Sequence, residues 1–173
     1  MRQLRGKPLK DFMKRAPGSD LDLVFLLQNV QDPVNVGSAF RLADACGVTK
    51  MILGGVTAVP PHALITRVGR KKDRKVKWRH VEDTEAELQE LGEAGYRRIA
   101  IEITAEAELY SCVDYGNRVC LVVGGEDHGV PHRILDACDG AVYLPMLGKG
   151  ASLNVTDSLG VTAYHILQQN LTT

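Results

Sequence analysis

The chain has 173 residues, 45% hydrophobic and 24% charged, enough for one domain with a real core. No apolar run approaches the roughly 18 residues that span a bilayer, and no hydrophobic signal core follows the basic N-terminus, so a soluble cytoplasmic protein without membrane contact is expected. The net charge of zero hides an asymmetry: residues 1–80 carry 16 Lys/Arg against 6 Asp/Glu, and residues 81–173 carry 5 against 15.

Residues 1–19 read as a short basic N-terminal arm and residues 20–173 as a single domain. Residues 21–27 are an apolar run of strand length, followed by polar Gln28 and Asn29 and then Asp32-Pro33. From Asn35 to Cys46 the apolar positions Val36, Ala39, Phe40, Ala43 and Cys46 recur at helical spacing, and Gly47 ends the helix. Residues 50–53 form a second short strand, broken by Gly54-Gly55.

Residues 56–80 are irregular and basic, a poor fit to any core element. Arg67, Arg70, Lys71, Lys72, Arg74, Lys75, Lys77 and Arg79 fall within 13 residues, a run that suits phosphate neutralisation and equally a solvated loop. Thr84 and Glu87 have the spacing of a capping box, opening a helix to about Ala94 that Gly95 closes.

Strands follow at 98–103 and 119–123, then a short helix from Pro131 to Cys138. A strand at 141–144 and a helix over 155–169, with Val155, Leu159, Ala163, Ile166 and Leu167 on one face, complete the chain. Strand and helix alternate throughout. The fold class expected is therefore α/β, a mostly parallel sheet with helices on both faces.

Three segments carry chemistry. Residues 29–41 place Asn35 and Arg41 on a helix that directly follows a strand, where ligands of open α/β sheets gather, and Gly37 permits a close approach. Read locally, this is also an ordinary helix with a capping Asn and a surface Arg. Residues 121–129 run from a strand into a glycine-rich turn bearing Glu126, which is neither a Walker A loop nor a GxGxxG fingerprint. Asp127-His128 has no second His/Asp pair at ligand spacing, so no metal is expected.

Residues 144–155 form a strand–loop–helix junction with Ser152 and Asn154 near its end. These two residues suit a helix cap, and the apolar loop suits a pocket for an apolar-faced ligand. Cys46, Cys112, Cys120 and Cys138 form no CxxC pair, and reduced thiols are expected.

In this order the three segments resemble the motifs of the SpoU (TrmH-like) branch of the SPOUT RNA methyltransferases. The first matches Asn29-x-x-Asp32-Pro33-x-Asn35-x-Gly37-x-x-x-Arg41. The second matches Gly124-x-Glu126-x-x-Gly129, and the third matches Pro145-Met146-x-Gly148-x-x-x-Ser152-Leu153-Asn154-Val155. The family is implied by all three in sequence, since each motif alone is weak. Gln31, where the family often has Arg, and Asp157 depart from the commonest pattern without removing a catalytic candidate.

The resemblance implies a C-terminal deep trefoil knot, the SPOUT α/β knot, and S-adenosyl-L-methionine as cofactor with S-adenosyl-L-homocysteine as product. Cofactor contacts would come from the loops carrying Ile101, Gly124, Leu144, Met146 and Leu153. Arg41 would be the catalytic arginine, with Asn35, Glu126, Ser152 and Asn154 as its polar shell. Two roles for Arg41 stay open, deprotonation of a ribose 2′-hydroxyl or stabilisation of the developing alkoxide, since a guanidinium is ordinarily a poor base.

The resemblance further implies a homodimer packed through the helix of the first motif and the last helix, with Gly160 compatible with close packing there. The expected partner is structured RNA, tRNA favoured and rRNA possible, gripped by the arm and by Arg67, Arg70, Lys71, Lys72, Arg74 and Lys75 in the absence of a separate RNA-binding domain. A catalytically silent RNA-binding protein and a base methyltransferase are the competing readings.

Overall fold

The computed structural model describes residues 3–150 and 152–172. The chain begins with α1 (Gly6–Met13), β1 (Gly18–Ser19), β2 (Asp22–Gln28), α2 (Pro33–Cys46), β3 (Lys50–Gly54) and α3 (Ala63–Val68). After a 3-10 turn at Lys72–Arg74 come β4 (Trp78–Val81), α4 (Thr84–Glu93), β5 (Arg97–Ile101), β6 (Glu108–Leu109) and β7 (Arg118–Gly124). The chain ends through α5 (His132–Asp136), β8 (Gly140–Tyr143), α6 (Val155–Gln169) and β9 (Leu171–Thr172).

Seven strands form one parallel sheet in the order β4–β3–β2–β7–β5–β8–β6. A two-stranded antiparallel ribbon, β1 with β9, ties the stem of the N-terminal arm to the end of α6. The central strands are apolar on both sides, as a sheet covered on both faces requires. Leu23, Phe25 and Leu27 of β2 point into a core shared with α2, α3 and α6, while Val24 and Leu26 point into a second core under α4 and α5. The expected parallel sheet with helices on both faces is what the chain forms.

Three local expectations change. The second helix starts at Pro33, two residues before Asn35, because Asp32 caps it through the Val34 amide (2.8 Å) and proline suits the first turn. The helix at 84 is capped by Asp83, which accepts from the Ala86 amide at 3.0 Å, so no capping box forms. The Thr84 hydroxyl is drawn instead to the buried Gln28 side chain at 2.7 Å, and Glu87 is drawn to Arg79.

The basic stretch 56–80 is not coreless. Ile65 is fully buried, Trp78 stands edge-on to Phe40 at 6.3 Å, and β4 extends the sheet beside β3. Its sparse apolar side chains reach inward while the long cations keep their charged heads in water, which blurs the periodicity.

The sheet order sets the position of the site. β2 and β7 lie side by side, yet the connections leaving their carboxyl ends run opposite ways, through α2 to β3 and through α5 to β8. Such a switch point opens a crevice at the strand ends where ligands bind.

Candidate functional site

At this crevice Asn29 directly follows β2 with φ 59°, a left-handed conformation that asparagine tolerates better than most residues. Its amide donates to the Gly54 carbonyl (3.1 Å) and its side-chain oxygen accepts from the Val56 amide (3.2 Å). A Cβ on Gly125 would collide with the Asn29 carbonyl, so glycine lets the ends of β2 and β7 close together. The first residue of the first motif is thus a tie between strand ends.

One turn into α2, Asn35 is only 7% exposed and links all three motifs. Its Nδ2 donates to Glu126 Oε1 at 2.6 Å, and its Oδ1 accepts from Asn154 Nδ2 at 3.1 Å. Asn154 Oδ1 in turn accepts from the Thr156 amide (2.9 Å) and hydroxyl (2.7 Å), capping α6. The polarity is self-consistent: a carboxylate only accepts, which orients the Asn35 amide, which orients that of Asn154. Capping and site-building are one arrangement here.

Beside this relay lies a cavity of about 450 Å³ between the carboxyl ends of β5, β7 and β8. Ile101, Gly124, Leu144, Met146 and Leu153 all line it, as do Glu126, Ser152 and Asn154. The charged residues among its described lining are two carboxylates, Glu102 and Glu126, with no lysine or arginine. No cysteine lines it among the described residues. Burial pushes the Cys46 thiol up to about 11 and the Cys138 thiol up to about 12, which keeps them neutral and unreactive.

Glu102 was not among the sequence candidates. Its Oε1 accepts from the Ile103 amide and its Oε2 from the Val130 amide, both at 2.9 Å, joining the loops after β5 and β7. The only signal for it in the sequence was a carboxylate near the end of the apolar strand expected over 98–103. Gly129 (φ 62°) closes the glycine turn, its amide donating to the Gly125 carbonyl at 2.9 Å.

The structure does not bring Arg41 into the shell expected around it. Six residues on from Asn35, it is displaced about 9 Å along α2 and about 120° around it. It is exposed, does not line the cavity, and makes no hydrogen bond or ion pair among the described residues. Gly37 does permit a close approach, by α3: a Cβ there would lie 2.9 Å from the Ile65 carbonyl oxygen and 3.0 Å from Val68 Cβ.

The basic run divides. Lys72 pairs with Asp44 and Arg79 with Glu87, so both brace the fold. Arg67, Arg70, Lys71 and Arg74 line a separate open concavity, and Lys75 is exposed outside it.

A parallel α/β sheet with a carboxylate-lined cavity at its strand ends and a Glu126–Asn35–Asn154 relay defines an α/β protein with a ligand site at a topological switch point. The sequence model of the SpoU rRNA Methylase family matches residues 22–164, and the chain belongs to that family. A 23S rRNA (guanosine-2′-O-)-methyltransferase RlmB from Xanthomonas axonopodis pv. citri is 34% identical over 149 residues, covering 86% of this chain and 59% of the relative. The chain thus spans about three fifths of that relative's length.

An AdoMet-bound rRNA methyltransferase from Sinorhizobium meliloti superposes with a TM-score of 0.82 at 26% identity, covering 98% of this chain and 63% of the other. The A. aeolicus TrmH/SpoU tRNA modifying enzyme does so with a TM-score of 0.79 at 26% identity, covering 93% and 83%.

Proposed function

We propose that this protein transfers the methyl group of S-adenosyl-L-methionine to a ribose 2′-hydroxyl of RNA. The observation that carries this reading is the charge of the cavity. A lining that mixes aliphatic and polar groups, and whose charged side chains among the described residues are the Glu102 and Glu126 carboxylates, suits a cationic ligand with an apolar face and opposes a polyphosphate cofactor. When bound, the cofactor supplies a methyl group made electrophilic by its sulfonium charge.

The chain's own residues supply position and electrostatics. Ile101, Leu144, Met146 and Leu153 offer aliphatic walls, while Glu102 and the Asn35 relay hold three loops in one arrangement. Arg41 stabilises the developing alkoxide, a role that suits a guanidinium better than proton removal.

Arg41 faces away from its own chain's cavity, which supports a homodimer in which a second copy presents its arginine to the reacting ribose. The exposed Val161 and Tyr164 on α6 support packing through α2 and α6. The trefoil knot belongs to the same proposal, supported by Leu144, Met146, Ser152, Leu153 and Asn154 lining the cavity just before the chain enters α6.

The RNA favoured is ribosomal, which departs from the tRNA expectation, because the RlmB relatives are named for 23S rRNA. A tRNA substrate is the second reading, favoured by the 83% coverage of the A. aeolicus tRNA modifying enzyme. A cytoplasmic location goes with either RNA, and no helix among the described residues is long and apolar enough to cross a membrane.

The test is transfer of labelled methyl from S-adenosyl-L-methionine to deproteinised rRNA and to bulk tRNA, with nuclease digestion of the product. A 2′-O-methylnucleoside in rRNA is expected. Label in a base overturns the ribose assignment, and no transfer to either RNA overturns the activity.

A further inference from the structure

The molecule carries a second concavity, and its electrostatics are the reverse of the first. It measures about 630 Å³ and opens between α3 and the 3-10 turn. Its charged lining is Arg67, Arg70, Lys71 and Arg74, with no carboxylate. The one acidic residue of the run, Asp73, is turned inward: it is 8% exposed, and its Oδ2 accepts from the Thr66 hydroxyl at 2.9 Å.

The wall is built rather than draped. Arg70 (φ 50°) and Lys71 (φ 62°) both adopt left-handed backbone conformations, unusual for long side chains. They are held there by the Lys72–Asp44 ion pair on one side and the Trp78 indole donating to the Asp73 carbonyl (3.2 Å) on the other. Strained non-glycine backbone that the surroundings over-determine is a mark of functional sites. His62 also lines the concavity. Its Nδ1 accepts from the Leu64 amide at 3.2 Å, so its neutral ring carries the proton on Nε2 and is a donor.

The concavity is fixed relative to Arg41. Gly37, Phe40 and Asp44 of α2 all meet α3 or the 3-10 turn, and Arg41 lies on the same stripe, one turn before Asp44. We propose that this concavity is a phosphodiester subsite, separate from the cofactor cavity, that holds the RNA backbone flanking the target ribose alongside Arg41. It rests on the RNA reading above and deepens it. A cationic cofactor goes to the carboxylate-lined cavity and the polyanion to the arginine-lined one, so the two reactants do not compete for one site.

The test is the dissociation constant for deproteinised rRNA across a potassium chloride series. Arg67→Gln and Arg70→Gln should each make the log–log salt slope shallower by about 1, and the triple variant with Arg74→Gln by about 2 to 3. Arg133→Gln, which removes an exposed cation of α5 that pairs with Glu85 outside the concavity, should leave the slope unchanged. The charge-preserving Arg67→Lys/Arg70→Lys/Arg74→Lys variant should keep the wild-type slope, and S-adenosyl-L-homocysteine affinity should remain wild-type throughout.

Wild-type slopes in the glutamine variants, with RNA still bound, overturn the subsite and leave the RNA reading standing. A slope reduced as much by Arg133→Gln also overturns it, since the concavity would then have no special role. Saturable displacement of the RNA by low-millimolar inorganic phosphate marks a free-anion site and overturns the RNA assignment. Failure of the wild-type protein to bind RNA at all refutes the underlying reading instead.

Discussion

The Asn35 relay makes a charge-reversal experiment possible. Asn35→Asp keeps the side chain's shape but replaces the amide that donates to Glu126 Oε1 across 2.6 Å with a second carboxylate. The acceptor from Asn154 is retained, so the change isolates one bond. Losing a hydrogen bond to a charged group costs about 1.5–3 kcal/mol. Carboxylate repulsion adds to this, bounded by about 4 kcal/mol at 4 Å and an effective dielectric of 20, and much reduced because Glu126 is exposed. A net loss of about 2–4 kcal/mol lowers the melting temperature by roughly 4–16 °C for a chain of this size.

The deficit should depend on pH. A like-charged neighbour raises the pKa of one carboxyl of the pair, so repulsion is present above that raised value. Below it the shared proton restores an O–H donor, and the deficit should shrink from pH 8 to pH 5. In Asn35→Asp/Glu126→Gln the amide and the carboxylate trade places, so the bond re-forms. Calorimetric unfolding and S-adenosyl-L-homocysteine titration should show the double variant recovering most of the loss, a coupling of about 1.5–3 kcal/mol. Strictly additive effects of the two substitutions would refute the relay.

Three further outcomes are expected. Arg41→Ala should reduce methyl transfer at least about 100-fold while shifting stability by less than about 0.5 kcal/mol, because the exposed side chain has no partner to lose among the described residues; wild-type turnover removes Arg41 from the mechanism. Gly37→Ala should destabilise by about 1–3 kcal/mol in a denaturant titration, since the new methyl presses on the Ile65 carbonyl and Val68; unchanged stability means α3 yields freely.

Asp139 is held below the usual carboxylate range chiefly by its hydrogen bond from Arg98. Its contribution to stability is therefore full above the ordinary value and lost as pH falls through the depressed one. The stability gap between wild type and Asp139→Asn should be constant from pH 7 to about 5 and close below about pH 4. A gap that widens on acidification contradicts the ion pair.

Much of this protein is written in local sequence. Short continuous apolar strands, buried on both faces, and helices with one apolar stripe identify a parallel α/β sheet because burial of those faces admits few layer arrangements. The motif residues are equally legible, and the structure gathers Glu126, Ser152, Asn154 and the five aliphatic and glycine candidates around one cavity. The cap at Asp32 and the one at Asp83 escaped the sequence reading because several Asp, Asn and Thr residues sit near each helix start. Which of them caps is settled by partners distant in the chain, such as Gln28 for Thr84.

What only the tertiary structure decided concerns pairings across long separations. A sequence spacing of six puts Asn35 and Arg41 on one helix, but the helical twist sends them to different faces, Asn35 into the relay beside the cavity and Arg41 out to solvent. Glu102 acquires its role only because β5 lies beside β7, which brings the Val130 amide to it. The basic run shows the same division. Its charge was plain in the sequence, yet Asp44 and Glu87, remote residues supplied by folding, determine which cations brace the protein and which remain free for a ligand. Composition and period are properties of neighbours along the chain, whereas charge pairing and cavity walls are properties of neighbours in space.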